Sequence, residues 1–169
     1  VADALTALQS DAQGLQAQYA AQLGRQVMDV TLDCEDGAPA GGEHDHAQMV
    51  QALAIAHYSK TGMRAAARVH AVDHPSFEDD IACLAPAFGA LAHVMMPKVE
   101  SVADIDRAAA LVPARTPLHA LVESAAAVAC VYSIAAHPRI ASVSFGLMDF
   151  VSAHGGAIPA AAMSLHPTL

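Results

Sequence analysis

LHALVESAAAVACVYSIAAHPRIASVSFGLMD, Leu118–Asp149, decides the fold of this chain. Two short apolar runs, Leu118–Val122 and Ile140–Phe145, read as buried strands, and the alanine-rich stretch between them, Ala126–Ala136, reads as a helix stopped by His137-Pro138. A helix between two strands lets both run in the same direction, which makes the stretch a βαβ unit of a parallel sheet. Each strand leads into an acidic residue: Glu123 directly, and Asp149 through Gly146-Leu147-Met148.

The pattern repeats toward the N-terminus. DVTLDCED (Asp29–Asp36) predicts a strand over Met28–Leu32 followed by Asp33, Glu35 and Asp36. AAARVH (Ala65–His70) belongs to a strand near Arg64–His70 that carries Arg68, and HVMMPKVE (His93–Glu100) to one near His93–Met96 that ends before Pro97, Lys98 and Glu100. Helices are predicted over Ala2–Gln26, over Ala47–Thr61 with Gly62 as its stop, after a cap at Ser76 and Asp79, and from Ser101 with Asp104 to Pro113. Gly37–His46, with three glycines and a proline, reads as a loop. Successive strand-ending charges lie about 25 to 35 residues apart, the length of one βα unit.

Five such units form either an open doubly wound sheet or part of a (β/α)8 TIM barrel. In both, the carboxyl ends of the strands share one edge, and ligands bind there. A full barrel needs about 250 residues, so the 169 present predict a single barrel domain over 1–169 with its first and last units missing.

Composition narrows the function. Hydrophobic residues form 54% of the chain and aromatic ones 4%, so the core is built from Ala, Val, Leu, Ile and Met. Eight basic against 17 acidic residues, a net charge of -9, give nucleic acid no basic surface on which to dock. Cys34, Cys83 and Cys130 are odd in number and widely spaced, which argues against a disulfide framework or zinc ribbon and suggests a reducing cytoplasm. The N-terminal VADALTALQSDAQ has no signal-peptide pattern, and no run approaches the roughly 18 apolar residues of a membrane span.

Each charged ending has a chemical reading and a structural one. Glu123 and Asp149 end consecutive strands and offer hard oxygen ligands for Mg2+ or Mn2+; alternatively, each caps the helix that follows. Arg68, inside an apolar run, suits bidentate recognition of a carboxylate or phosphate, or forms an ion pair with Asp33, Glu35 or Asp36. Those three carboxylates either meet cations or metal-bound waters, or form a solvated turn. Lys98 and Glu100 either face an anionic ligand or pair with each other on the surface. His44 and His46 form a candidate metal pair or a solvated loop, and His70, His154 and His166 are open in the same way.

LDCEDG (Leu32–Gly37), RVH (Arg68–His70), MPKVES (Met96–Ser101), LVES (Leu121–Ser124) and SFGLMDF (Ser144–Phe150), in this order and spacing, resemble the HpcH/HpaI aldolase and citrate lyase family, in its citrate lyase beta-like branch of CoA-ester lyases. The resemblance implies a (β/α)8 barrel and a Mg2+-dependent carbon–carbon lyase. Its substrate would be a 3-hydroxyacyl-CoA such as citryl-CoA or malyl-CoA, cleaved or formed through an enolate. By the same resemblance Glu123 and Asp149 are the metal ligands, with Mn2+ as a substitute ion. Arg68 holds the oxo-acid portion and Lys98 and Glu100 support it, while Glu35 and Asp36 hydrogen-bond the metal's waters. A homo-oligomer, trimeric or larger, is also implied. RVH stands where the family commonly has RVN, and the acid that the lyases draw from a C-terminal segment has no counterpart here. A CoA-independent pyruvate-type aldolase and a non-catalytic barrel-derived binding protein are the alternatives.

Overall fold

Ser101 and Ser124 show how the sequence builds its βα turns. In the computed structural model, which describes residues 2–156, both residues are extended and their hydroxyls accept the amides of Asp104 and Ala127. At Ser101 the Asp104 carboxylate returns the bond, completing a capping box. Each cap turns the chain abruptly from a strand into a helix.

The elements in order are α1 (Ala2–Leu23), β1 (Thr31–Asp33), α2 (Glu43–Thr61), β2 (Ala65–Arg68), α3 (Phe77–Leu84), β3 (Leu91–Met96), α4 (Val102–Leu111), β4 (Leu118–Val122), α5 (Ala125–Ala135), β5 (Ile140–Phe145) and α6 (Leu147–Ala153). A single 3-10 turn, Ala85–Ala87, extends α3. The strands form one parallel five-stranded sheet in the order β1-β2-β3-β4-β5. A doubly wound sheet reverses its strand order at a switch point, and this one does not. The result is an α/β fold with every strand beside its neighbour in sequence.

Burial follows from this layering. Ala65, Ala66 and Ala67 are all buried, as expected of an interior parallel strand covered on both faces. Along β4, Leu118 and Ala120 join the core with Ile105, Ala108 and Ile134. The alternate residue, His119, hydrogen-bonds Ser142 and Ser144 of β5 and stacks on His93 of β3. Beneath the sheet, the Arg139 guanidinium donates to the carbonyls of Ala109, Val112, Pro113 and Thr116, pinning the turn between α4 and β4.

Four expectations are corrected. The Gly37–His46 loop is shorter than read, because α2 begins at Glu43, whose carboxylate and that of Asp45 favour a helix N-terminus. β1 lies at Thr31–Asp33 rather than Met28–Leu32, since pairing with Ala66–Arg68 sets its extent. Ser76 is helical rather than extended and makes no side-chain cap, while Asp79 turns to His44 instead. The stretch after Gly146 contains a short helix, α6. Gly62 does end α2, in the left-handed region at φ 72°, with its amide on the Tyr58 carbonyl. Among the described residues no helix is long and apolar enough to cross a membrane. His166 and the segment 157–169 lie outside the described residues.

Candidate functional site

The strand register brings the charged endings together. Asp33 is opposite Arg68 in the β1–β2 ladder, and Arg68 is opposite Met95 in the next. Arg68 donates from Nε and Nη2 to the two carboxylate oxygens of Asp33, at 2.8 and 2.7 Å, in a bidentate fork. Its Nη2 also reaches Asp36 at 2.9 Å, and its Nη1 lies 3.1 Å from Glu35 Oε2. The three acids of LDCED thus converge on a single arginine, the structural alternative left open for Arg68.

Asp33 is the hub of this cluster. Besides the Arg68 fork it accepts the amides of Glu35 and Gly37, each at 3.0 Å. Burial pulls its carboxyl upward, but the Arg68 bond and charge, with the two amides, outweigh that and hold it below its ordinary 3.8. A depressed carboxylate contributes stability that is present above the unfolded value and lost as pH falls through the folded one. Asp33→Asn should therefore lose about 2 kcal/mol at pH 7. The gap to the parent should close as pH drops below 3.8, as read from denaturant unfolding at several pH values. A gap independent of pH would contradict this account.

Lys98 links the cluster to the next strand end. Its backbone has φ 54°, the left-handed region that a non-glycine residue seldom adopts. In that conformation its amide donates to Glu123 Oε2 at 2.9 Å and its Nζ to Glu35 Oε1 at 2.8 Å. Of the two alternatives for Lys98 and Glu100, the mutual surface pair does not form; Glu100 accepts the Ser124 hydroxyl. The Glu35 bond, against some burial and with help from the charges of Glu35, Asp149 and Asp36, pushes the Lys98 ammonium up.

Glu123 lies one residue beyond β4 and is only 6% exposed. Among the described residues neither Glu123 nor Asp149 belongs to an ion pair. Burial, then the charges of Asp149 and Glu35, push the Glu123 carboxyl up against the amide and charge of Lys98. Asp149 sits in the first turn of α6, not at the end of β5, because β5 stops at Phe145. Both acids line a cavity of about 550 Å3 together with Lys98, Glu100, Asp104 and Ser124. Arg68 is not among the residues lining it.

The donor set suits a small hard cation. Among the described residues, two carboxylates without a cationic side-chain partner face one cavity. Oxygen ligands of this kind, completed by waters, are what Mg2+ and Mn2+ take. Gly146 is part of the arrangement: a Cβ there would collide with Glu123 Cγ and Oε1.

A model of the HpcH/HpaI aldolase/citrate lyase family matches residues 12–160. The chain belongs to that family. This HpcH/HpaI chain is 33% identical over 156 residues to a citrate lyase subunit beta-like protein of Deinococcus radiodurans, covering 86% of itself and 52% of that protein. Among solved structures it is similar to a citrate lyase from Burkholderia xenovorans LB400, with 39% identity, a TM-score of 0.73, and coverage of 87% of this chain and 48% of that one. It is also similar to the citrate lyase beta subunit of M. tuberculosis complexed with oxaloacetate and magnesium, at 26% identity and a TM-score of 0.63, covering 88% and 59%. The HpcH/HpaI chain thus spans about half the length of these relatives.

The histidine expectations resolve differently. His44 and His46 do not form a pair: His46 is buried with Nε2 on the Asp33 carbonyl at 2.7 Å, while His44 is exposed beside Asp79. The role of His46 in holding Asp33 has no signal in the sequence. His70 is also buried, with its amide and Nδ1 both on Asp80 Oδ2. His154 caps α6 through the Phe150 carbonyl.

Proposed function

We propose that the chain carries the cation-binding edge of a carbon–carbon lyase with a (β/α)8 barrel, as one domain whose five strands are consecutive in that barrel. Glu123 and Asp149 would hold Mg2+, or Mn2+ in its place. The carrying observation is Glu123, a buried carboxylate without a cationic partner beside Asp149. The substrate class is a 3-hydroxyacyl-CoA of the citryl-CoA or malyl-CoA kind, cleaved to a 2-oxo acid and an acyl-CoA. Support comes from the M. tuberculosis relative complexed with oxaloacetate and magnesium.

When bound, the cation supplies positive charge to the substrate oxygen on which negative charge develops as the bond breaks. The chain's own groups prepare the surroundings. Lys98 and Arg68 offset the charges of Glu35, Asp33 and Asp36 beside the two acids. Glu35 and Asp36 would accept hydrogen bonds from water at the site. Arg68 would hold the carboxylate of the oxo acid by releasing Asp36, the most exposed of its three partners, while Asp33 keeps its fork in place. Lys98 and Glu100 contact the substrate from the cavity wall.

Incubation of the protein with Mg2+ and malyl-CoA or citryl-CoA, with the released 2-oxo acid trapped as its hydrazone, tests the reading. Product formation that stops on chelation supports it. Metal-dependent exchange of pyruvate methyl protons into deuterated water, with no turnover of either thioester, would replace it by the pyruvate-type aldolase; neither reaction would leave a binding protein. Arg68→Lys should raise KM by roughly 10- to 100-fold with little change in Mg2+ affinity, because an ammonium cannot hold Asp33 in a fork and the oxo acid at the same time. An unchanged KM would remove Arg68 from the substrate site.

A further inference from the structure

His44, Asp79 and Cys83 form a second group of potential ligands, outside the cavity of Glu123 and Asp149. His44 is in the first turn of α2, and Asp79 and Cys83 lie four residues apart on one face of α3. His44 Nδ1 is 2.7 Å from Asp79 Oδ2 and 3.6 Å from Cys83 Sγ, and the three ligand atoms all lie within 4.8 Å of one another. A shallow cavity of about 320 Å3 opens over them, with Gln48 on its wall.

We propose that these three residues form a site for a borderline divalent cation of the zinc class, which clips α2 to α3. One nitrogen, one sulfur and one carboxylate oxygen make a donor set that zinc favours and magnesium does not. Tetrahedral zinc with Zn–N near 2.0 Å and Zn–S near 2.3 Å separates those ligands by about 3.6 Å, the spacing His44 and Cys83 already have. Relative to His44 Nδ1, Asp79 Oδ2 at 2.7 Å is about 0.6 Å inside ligand separation.

The alternative for a Cys, His and Asp group is a nucleophilic triad, and the geometry excludes it. A triad uses opposite ring nitrogens, one for the nucleophile and one for the acid. Here Asp79 and Cys83 both face Nδ1, so three ligand atoms converge on one point. The far nitrogen, Nε2, meets the Gln48 side-chain amide at 2.8 Å. With that amide turned to present its oxygen, Gln48 accepts Nε2–H and leaves the Nδ1 lone pair for the metal. On binding, the cation takes the place of the thiol proton, which passes to solvent.

Of the two helices joined this way, α2 begins seven residues after Asp36 and α3 seven residues after His70. The clip therefore braces the carboxyl edge from outside. Its donor set is also orthogonal to that of the hard-cation site, so both can be read in one protein.

Cobalt(II) titration of the full chain, reduced and with excess Mg2+ present, tests the site. One equivalent should bind with a thiolate-to-cobalt charge-transfer band in the near ultraviolet, and Zn2+ should displace it. Cys83→Ser should abolish the band. His44→Ala and Asp79→Asn should each weaken binding by at least about 10-fold. Cys130→Ser and Glu123→Gln should retain both band and affinity. Absence of the band, or its survival in Cys83→Ser, overturns the proposal. Circular dichroism of each variant separates lost binding from lost fold, and all three ligand side chains are at least partly exposed.

Discussion

Glu123→Gln should lower Mn2+ affinity by roughly 100-fold while leaving the melting temperature at pH 7 unchanged or raised. The glutamine oxygen still accepts the Lys98 amide, so that bond survives. What is lost is the negative charge that a hard cation requires. What is gained follows from the direction in which the carboxyl is displaced. A carboxyl pushed up on folding contributes stability that is complete below its ordinary 4.5 and is lost as pH rises through its folded value. At pH 7 the buried carboxylate, with Asp149 and Glu35 nearby, is therefore a burden on the unliganded protein that the neutral amide relieves. Electron paramagnetic resonance of Mn2+ and a thermal melt measure the two effects separately. Unaltered Mn2+ binding would remove Glu123 from the site, and a large fall in melting temperature would make it structural. Gly146→Ala offers a second route to the same outcome: its methyl displaces Glu123 without altering the ligand's chemistry, and Mn2+ affinity should again fall.

Asp80→Ala should destabilise the fold by about 3 kcal/mol. Asp80 is fully buried in α3, and one of its oxygens accepts both the amide and the Nδ1 of His70, at 2.8 and 2.7 Å. Alanine strands two buried donors and opens a cavity beside Ile81 and Leu84. Asp80→Asn keeps an acceptor for both donors and should cost clearly less. Urea midpoints at an unchanged m-value measure both variants. A loss below about 1 kcal/mol for the alanine variant would show that water or another group replaces the carboxylate. Because His70 is two residues from Arg68, the alanine variant should also loosen the Arg68 cluster.

The legible parts of the molecule have plain causes. β4 and β5 begin and end where read, since Thr116-Pro117 and His137-Pro138 precede them and the polar Glu123 and the turn at Gly146 follow. Glu123, Arg68 and the acids of LDCED stood out because charge at the end of an apolar run is costly to bury alone. β1 was displaced because an alternation of apolar residues marks extended chain and says nothing about where a neighbour's ladder begins. Sequence proximity suggests Glu100 as a partner for Lys98, whereas a left-handed backbone turns its amide to Glu123 and its ammonium to Glu35. His46 beneath Asp33 and Gly146 against Glu123 were invisible, since each matters only through a residue distant in the chain.

Periodicity and punctuation are local properties, and from them the sequence alone determined parallel βα units with charged strand ends along one edge, together with the motifs of a carbon–carbon lyase family. Pairing is not local. Only the tertiary structure decided that Asp33 sits in the Arg68 fork, that Asp149 approaches Glu123 from a helix, and that His44 leaves His46 to meet Asp79 and Cys83. Strand register and helix packing choose those neighbours, because a charged side chain goes to whichever opposite charge or donor the fold brings within about 3 Å.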